Sequence, residues 1–407
     1  MFANLLSAQA DCAGGRYQSE IFAGFDLTSD ITYGSNINLA GQTQSLELDI
    51  YEPTGDNFAL RPIIVMEHGG SFVGGSKDQV DITSLAQPLA KMGYVVASVE
   101  YRLGMEGLPF PGPGQGEASE SVWRAVADMK AAVRFLYKSA ANGNPYGIDT
   151  NRIYVGGVSA GAVSAVHYAY LADLSEMPSY IDTTKAGLGG GIEGSSGNPG
   201  YSSKVYGVVN ICGMLADTAW MDANEPPIVS LHGTDDQVVP YGTDMITVGG
   251  FFPIFVVDGS ASVTAKANEL GIDNCFFPHY GAPHTPHINT AAYLDTTLVI
   301  VSDFVHHLAC NEPAACSYLV SVDPGFENTD MSIYPNPAFS AFIVEFDGVM
   351  PATWDYQLMD VTGRIVEQGT ESGVSRMEVK RDGLASGMYV FRVTSENFTK
   401  SERIIFE

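Results

Sequence analysis

Gly157-Val158-Ser159-Ala160-Gly161 sets a serine at the centre of a G-x-S-x-G pentapeptide. It follows the β-branched run Ile153–Val155 and precedes a small-residue stretch starting near Ala162. Strand, tight turn and helix in that order hold a serine hydroxyl clear of a sheet, with a helix N-terminus beneath it. Such a hydroxyl attacks a carbonyl when a base takes its proton and donors hold the oxyanion that forms. His68-Gly69-Gly70-Ser71-Phe72 offers those donors, because adjacent glycines let backbone N–H groups turn toward one point. The N–H groups of Gly70, Ser71 and Ala160 are the expected oxyanion hole. His68 itself reads as a structural residue that pins the loop.

The base and the acid that orients it should follow the serine, acid first. The run IVSL leads into His232-Gly233-Thr234-Asp235-Asp236-Gln237-Val238-Val239-Pro240, and both aspartates stand just past a strand end. Asp236 is preferred over Asp235. Further on, FFPHYGAPHTPH holds His279, His284 and His287. His284 is preferred, because its small-residue loop can reach across the top of a sheet, whereas His279 lies close to an apolar strand. The reading is therefore Ser159 as nucleophile, His284 as base and Asp236 as its partner, with no metal and no organic cofactor. His306 and His307 are neighbours on a helix, diverge by about 100° and are assigned to the surface.

These loops need a scaffold. SLELDIY at Ser45–Tyr51 alternates as a half-buried strand, whereas IIVM and YVVASVEY read as strands buried on both faces. A helix is expected around Ile82–Met92. Val122, Val126, Met129, Val133 and Leu136 recur at helical spacing. Strands at Ile153–Val155, Val205–Ile211, Ile228–Leu231 and Cys275–Phe277 follow, with a last helix from about Thr290 to Leu308. Strands alternating with helices predict an α/β fold, a doubly wound and mostly parallel sheet with its chemistry at the strands' carboxyl ends. From Ser332 onward, short alternating runs (IYP, AFIVEF, YQLMDV, RMEVK, YVFRV, RIIFE) punctuated by glycines predict a small all-β sandwich. The expected boundaries are 1–10 as the remnant of a signal peptide ending in Ala8-Gln9-Ala10, 11–316 as the catalytic domain, 317–331 as linker and 332–407 as sandwich.

Composition narrows the function classes. Among 407 residues, 47 are acidic and 20 basic, a formal net charge of −27. A surface so negative repels phosphate backbones, which argues against nucleic-acid binding. No apolar run approaches the ~18 residues of a membrane span. The five cysteines lack C-x-x-C spacing. Cys310 and Cys316 flank a short polar loop and are expected to pair, Cys212 in VVNICG is expected to be a free core thiol, and Cys12–Cys275 is the remaining bridge.

HGGSF, YRLG at Tyr101–Gly104, YGID at Tyr146–Asp149, GVSAG and HGTDDQVVP together resemble the α/β-hydrolase carboxylesterases, near their hormone-sensitive-lipase-like bacterial branch. The likeness covers about residues 40–309 and implies a serine esterase in which the aspartate of D-x-x-V-P, here Asp236, orients the histidine. Two departures stand out. HGGS replaces the more usual HGGG, and 48 residues separate Asp236 from His284, which places an insertion at about Met245–Val257. IYPNP, DVTGR and GLASGMYVFRV resemble the three blocks of the Bacteroidetes type IX secretion C-terminal sorting domain. That likeness implies export through the periplasm to the cell surface or medium, with the type IX machinery as partner. The expected substrate is a short-chain or aromatic ester, including acetyl or feruloyl groups on polysaccharides, or a polyester. The small, polar segments Leu108–Gly116 and Gly187–Ser203 are expected to rim the pocket. A prolyl-peptidase-like serine peptidase, or a catalytically dead hydrolase fold used for surface binding, are the alternatives.

Overall fold

Seven consecutive residues with no polar exposure, Arg61–Glu67, need neighbours on both sides and both faces, and they find them at the centre of an eight-stranded sheet. The computed structural model describes residues 12–250, 252–312, 330–347, 353–360, 364–395 and 398–406. The signal-peptide reading of residues 1–10, Cys316 and almost all of the 317–331 linker lie outside the described residues. The chain divides into two compact units, Met1–Cys316 and Ser317–Glu407.

In the first unit the elements run β1 (Phe25–Ile37), β2 (Thr43–Pro53), β3 (Arg61–Glu67), α1 (Val80–Lys91), β4 (Val95–Val99), α2 (Gln115–Ala141), β5 (Ile148–Val158), α3 (Ala160–Tyr170), β6 (Val208–Ile211), β7 (Met214–Leu215), β8 (Ile228–Gly233), β9 (Thr243–Val248), β10 (Phe252–Gly259), α4 (Ser260–Leu270), β11 (Asn274–His279) and α5 (Ala291–Ala309). The main sheet has the order β1-β2-β4-β3-β5-β6-β8-β11. The β1–β2 and β2–β4 pairs are antiparallel, and every pair from β4–β3 to β8–β11 is parallel. This is the doubly wound, mostly parallel sheet expected from the alternation of strands and helices. The sequence reading lacked β1, whose side chains are largely exposed and so leave no alternating apolar signal.

Helix α3, AGAVSAVHYAY, is buried at every residue. Its small side chains let it lie against β5 and β3, behind the sheet's centre. A buried ion pair ties the outer layer together. Arg102 donates to both carboxylate oxygens of Asp128, to the carbonyls of Ile37 and Gly187 and to Ser196 Oγ, and neither side chain of the pair is exposed.

The cysteine pairing expected from spacing is overturned. Cys12 is bonded to Cys310, across 298 residues of sequence. Neither Cys310–Cys316 nor Cys12–Cys275 is formed, although Cys275 is itself disulfide-bonded. The fold brings Cys12 to Cys310 at the end of α5, a proximity that loop spacing does not record. Cys212 is free and buried. His306 is also buried, with Nδ1 3.5 Å from Cys310 Sγ, and so is not the surface residue expected.

In the second unit, β12 (Asp330–Tyr334), β13 (Ala341–Asp347) and β16 (Arg376–Lys380) form one antiparallel sheet. Strands β14 (Thr353–Asp360), β15 (Ile365–Ser372), β17 (Gly387–Ser395) and β18 (Phe398–Phe406) form another, in the order β15-β14-β17-β18. Phe342, Val344, Trp354, Leu358, Phe391 and Phe406 give it a core of its own. No helix among the described residues is long and apolar enough to cross a membrane.

Candidate active site

Strand β5 ends at Val158, and the next residue, Ser159, takes φ 54° and ψ −117° before α3 begins at Ala160. A non-glycine residue at such φ is strained, and it persists only where its surroundings hold it. Here they do so through close packing. A Cβ at Gly157 would lie 2.5 Å from the Glu67 carbonyl oxygen, and one at Gly161 would lie 1.9 Å from it. Only hydrogen fits at either position, which explains the two glycines that bracket the serine.

The end of β3 delivers the second loop to the same place. His68 is fully buried, stacks on Tyr101 with ring centroids 4.4 Å apart and bonds through Nδ1 to the Gly69 carbonyl at 2.7 Å. The Gly69 N–H is taken by Asp81 Oδ2 at 2.7 Å. Beyond it the chain turns through positive φ at Gly70, Ser71 and Phe72. Among the described residues no protein acceptor pairs with the N–H of Gly70 or Ser71. The N–H of Ala160 sits in the first turn of α3, where helical donors have no intrahelical partner.

Of the three candidate histidines, the structure brings His284 to Ser159. Nε2 lies 2.8 Å from Ser159 Oγ, and Nδ1 lies 2.6 Å from Asp236 Oδ2. His279 points away, its ring edge-on to Tyr293 and Phe277, and burial pushes it down to about 4. His287 bonds through Nε2 to the Asp81 carbonyl. Asp235 is exposed, whereas Asp236 is buried. Oδ1 of Asp236 accepts the N–H groups of Val238 and Val239 at 2.8 and 3.0 Å. Burial alone would raise the Asp236 carboxyl. Hydrogen bonds from His232 and His284, the charge of His284 and the Val238 N–H outweigh it and hold the group well below the usual carboxylate range.

His232 was named in the sequence but given no role. It is fully buried, with Nε2 3.1 Å from Asp236 Oδ2 and Nδ1 2.7 Å from Ser260 Oγ. It braces the same carboxylate oxygen that His284 meets. The only hint in the sequence was its place four residues before Asp236.

A cleft opens beside Ser159. Phe72, Trp123, Val163, Trp220, Ile246 and Phe255 are among its walls, and His167 also lines it. His167 is neutral, pushed down to about 4 by burial, with Nδ1 on the Val163 carbonyl and Nε2 on the Ala216 N–H. The insertion between Asp236 and His284 is the antiparallel β9–β10 hairpin, which pairs with β7 and supplies Ile246 and Phe255 to the wall. The polar segment Gly187–Ser203 does not rim this cleft. Arg102 and Arg134 hold its carbonyls, and Ser196 donates to Asp128, which fastens it elsewhere on the unit. The cleft is therefore apolar where a polar rim was expected.

The structure thus brings together a serine on a strained strand-to-helix turn, a histidine within hydrogen-bond reach and free N–H groups nearby. Residues 48–214 match the BD-FAE family model, and residues 332–407 match that of the Secretion system C-terminal sorting domain. The chain thus joins a stretch similar to the BD-FAE α/β-hydrolases to a C-terminal stretch similar to secretion sorting domains. The BD-FAE match includes Gly70, Ser71, Ser159 and Ala160 and stops short of Asp236 and His284. Gut esterase 1 of Caenorhabditis elegans is 34% identical over 103 residues, 25% of this chain and 17% of its own. Carboxylesterase 3B of Mus musculus is 36% identical over 122 residues, 29% of this chain and 19% of its own. The aligned part thus spans less than a fifth of each of these two relatives. Among solved structures, propionate-bound esterase 2 of Thermogutta terrifontis aligns over 71% of this chain and 96% of its own, at 20% identity and a TM-score of 0.47.

Proposed function

We propose that the protein is an exported serine hydrolase of carboxylic esters. The observation that carries the reading is the hydrogen-bonded chain Ser159 Oγ–His284–Asp236, at 2.8 and 2.6 Å, beside unpaired N–H donors. With Asp236 ionised, His284 keeps its proton on Nδ1 and presents the Nε2 lone pair to Ser159. Ser159 Oγ then attacks the ester carbonyl as Nε2 takes its proton. The N–H groups of Gly70, Ser71 and Ala160 hold the oxyanion, a kind of contact worth about 3–4 kcal/mol per donor in other hydrolases. The imidazolium returns its proton to the leaving alcohol, and water activated by the same nitrogen releases the acyl group.

The acyl group fits the cleft of Trp123, Trp220 and Phe255, whose apolar walls suit an alkyl or aromatic acid better than a charged one. Short-chain and aromatic esters are the substrate class proposed, whether free or borne by a polysaccharide or polyester. The tail directs the protein to the type IX machinery. Ser159→Ala should remove p-nitrophenyl acetate turnover and labelling by a fluorophosphonate while leaving thermal unfolding in place. Persistent turnover in the folded variant would overturn the assignment. A chain ending at Val322 should keep its kcat/KM within about twofold, because the tail has a separate core. In the host that shortened chain should stay in the periplasm.

A further inference from the structure

Cys212 follows β6 directly, at φ 56°, and is completely buried. The proposed hydrolysis makes no use of its sulfur. Yet Sγ of Cys212, a carboxylate oxygen of Asp236 and a ring nitrogen of His284 all lie within 4.8 Å of one another. Burial and the Asp236 charge push the thiol up to about 12, so the resting group is S–H.

Thiolate, imidazole and carboxylate together form a donor set for thiophilic divalent cations, and three protein ligands leave a fourth position for water. Charge favours the same conclusion. A dication set between one thiolate and one carboxylate is neutral as a unit, whereas either anion buried alone is costly. We infer that Cys212, Asp236 and His284 form a site for a thiophilic divalent cation, zinc or cadmium, whose occupation switches off Ser159. The cation–sulfur bond forms as the S–H bond breaks, the proton leaves to solvent, and no oxidation state changes. The imidazole is disabled whichever nitrogen binds. Bound through Nε2, it has no lone pair left for Ser159. Bound through Nδ1, it carries its remaining proton on Nε2 and cannot accept another. Entry lies past His284, whose side chain is the only partly exposed member of the three, so inhibition should develop slowly.

The activity readout rests on the proposed esterase function, whereas the binding readout does not. The full chain is titrated with Cd2+ while the ultraviolet thiolate–cadmium charge-transfer band and p-nitrophenyl acetate turnover are followed, each protein's uninhibited rate being its own reference. One equivalent should raise the band, release a proton and cut turnover at least about tenfold, a change worth about 1.4 kcal/mol. EDTA should restore the rate. Cys212→Ser and Cys212→Ala should lose the band and need at least about tenfold more cadmium for half-inhibition. A wild-type protein with no band, or variants inhibited at the wild-type concentration, would overturn the site. A band that depends on Cys212 in a protein with no esterase turnover would keep the site and refute the esterase reading.

Discussion

Replacing Gly161 with alanine adds one methyl group at the point where α3 meets β3. The new Cβ would stand 1.9 Å from the Glu67 carbonyl oxygen and 2.4 Å from its carbon, both backbone atoms of a central strand. No rotamer relieves that clash. Ordinary contact begins near 3.4 Å, so helix and strand must part by about 1.5 Å. Ser159 sits two residues before Gly161, and β3 carries the His68–Ser71 loop, so the separation pulls Ser159 away from the N–H groups of Gly70 and Ser71 proposed as its oxyanion donors. A displacement of about 1 Å costs on the order of a hundredfold in rate, and overpacking of this kind costs about 1–3 kcal/mol of stability. Gly74→Ala is the matched control, since nothing lies within 4 Å of its added Cβ and its φ is ordinary. Esterase kcat/KM and thermal unfolding are measured for both variants. Gly161→Ala should lose about two orders of magnitude in kcat/KM and Gly74→Ala almost none. If Gly161→Ala stayed within about threefold of wild type, close packing would not be what holds the elbow.

Two further outcomes follow from groups outside the site. Burial raises Glu225 from 4.5 to about 7, so its contribution to stability is complete below pH 4.5 and lost as pH rises through about 7. Glu225→Gln should melt with wild type at pH 4 and above it at pH 8, by on the order of 1 kcal/mol once solvent screening is allowed for. The Cys12–Cys310 bond closes a loop of 298 residues, and loop-closure entropy puts its worth at up to about 5 kcal/mol. Cys12→Ser should therefore lower the Tm in non-reducing buffer, and an unchanged Tm would show that the loosened chain start contributes nothing.

The legible parts of this protein are those where local sequence and geometry are the same thing. Gly157 and Gly161 are required by contacts of 2.5 and 1.9 Å, and that requirement is visible as G-x-S-x-G. The parallel strands were legible because burial on both faces leaves continuous runs such as IIVM and VVASV. His284 could be preferred but not separated from its neighbours on sequence grounds. What separates them is where each ring lands, His279 against Tyr293, His287 on the Asp81 carbonyl and His284 on Ser159. His232 escaped notice because its contact with Asp236 depends on the curl of the loop after β8. The cleft was misread for the same reason, since its walls come from segments far apart in sequence. Disulfide partners lie furthest from the sequence, because Cys12 and Cys310 meet only when the whole unit has folded.

That covalent closure has a consequence for a protein that works outside the cell. Every peptide bond between residues 13 and 309 lies within the ring closed by Cys12–Cys310. A protease that nicks an exposed surface turn such as Gly249-Gly250, at the tip of the β9–β10 hairpin, cannot release either piece. The halves stay tethered, and the elbow and its histidine, which fall on opposite sides of such a cut, remain within reach of each other. On a denaturing gel the nicked protein would run as one species until a reductant is added. In a medium rich in proteases, the first cut is then survivable damage.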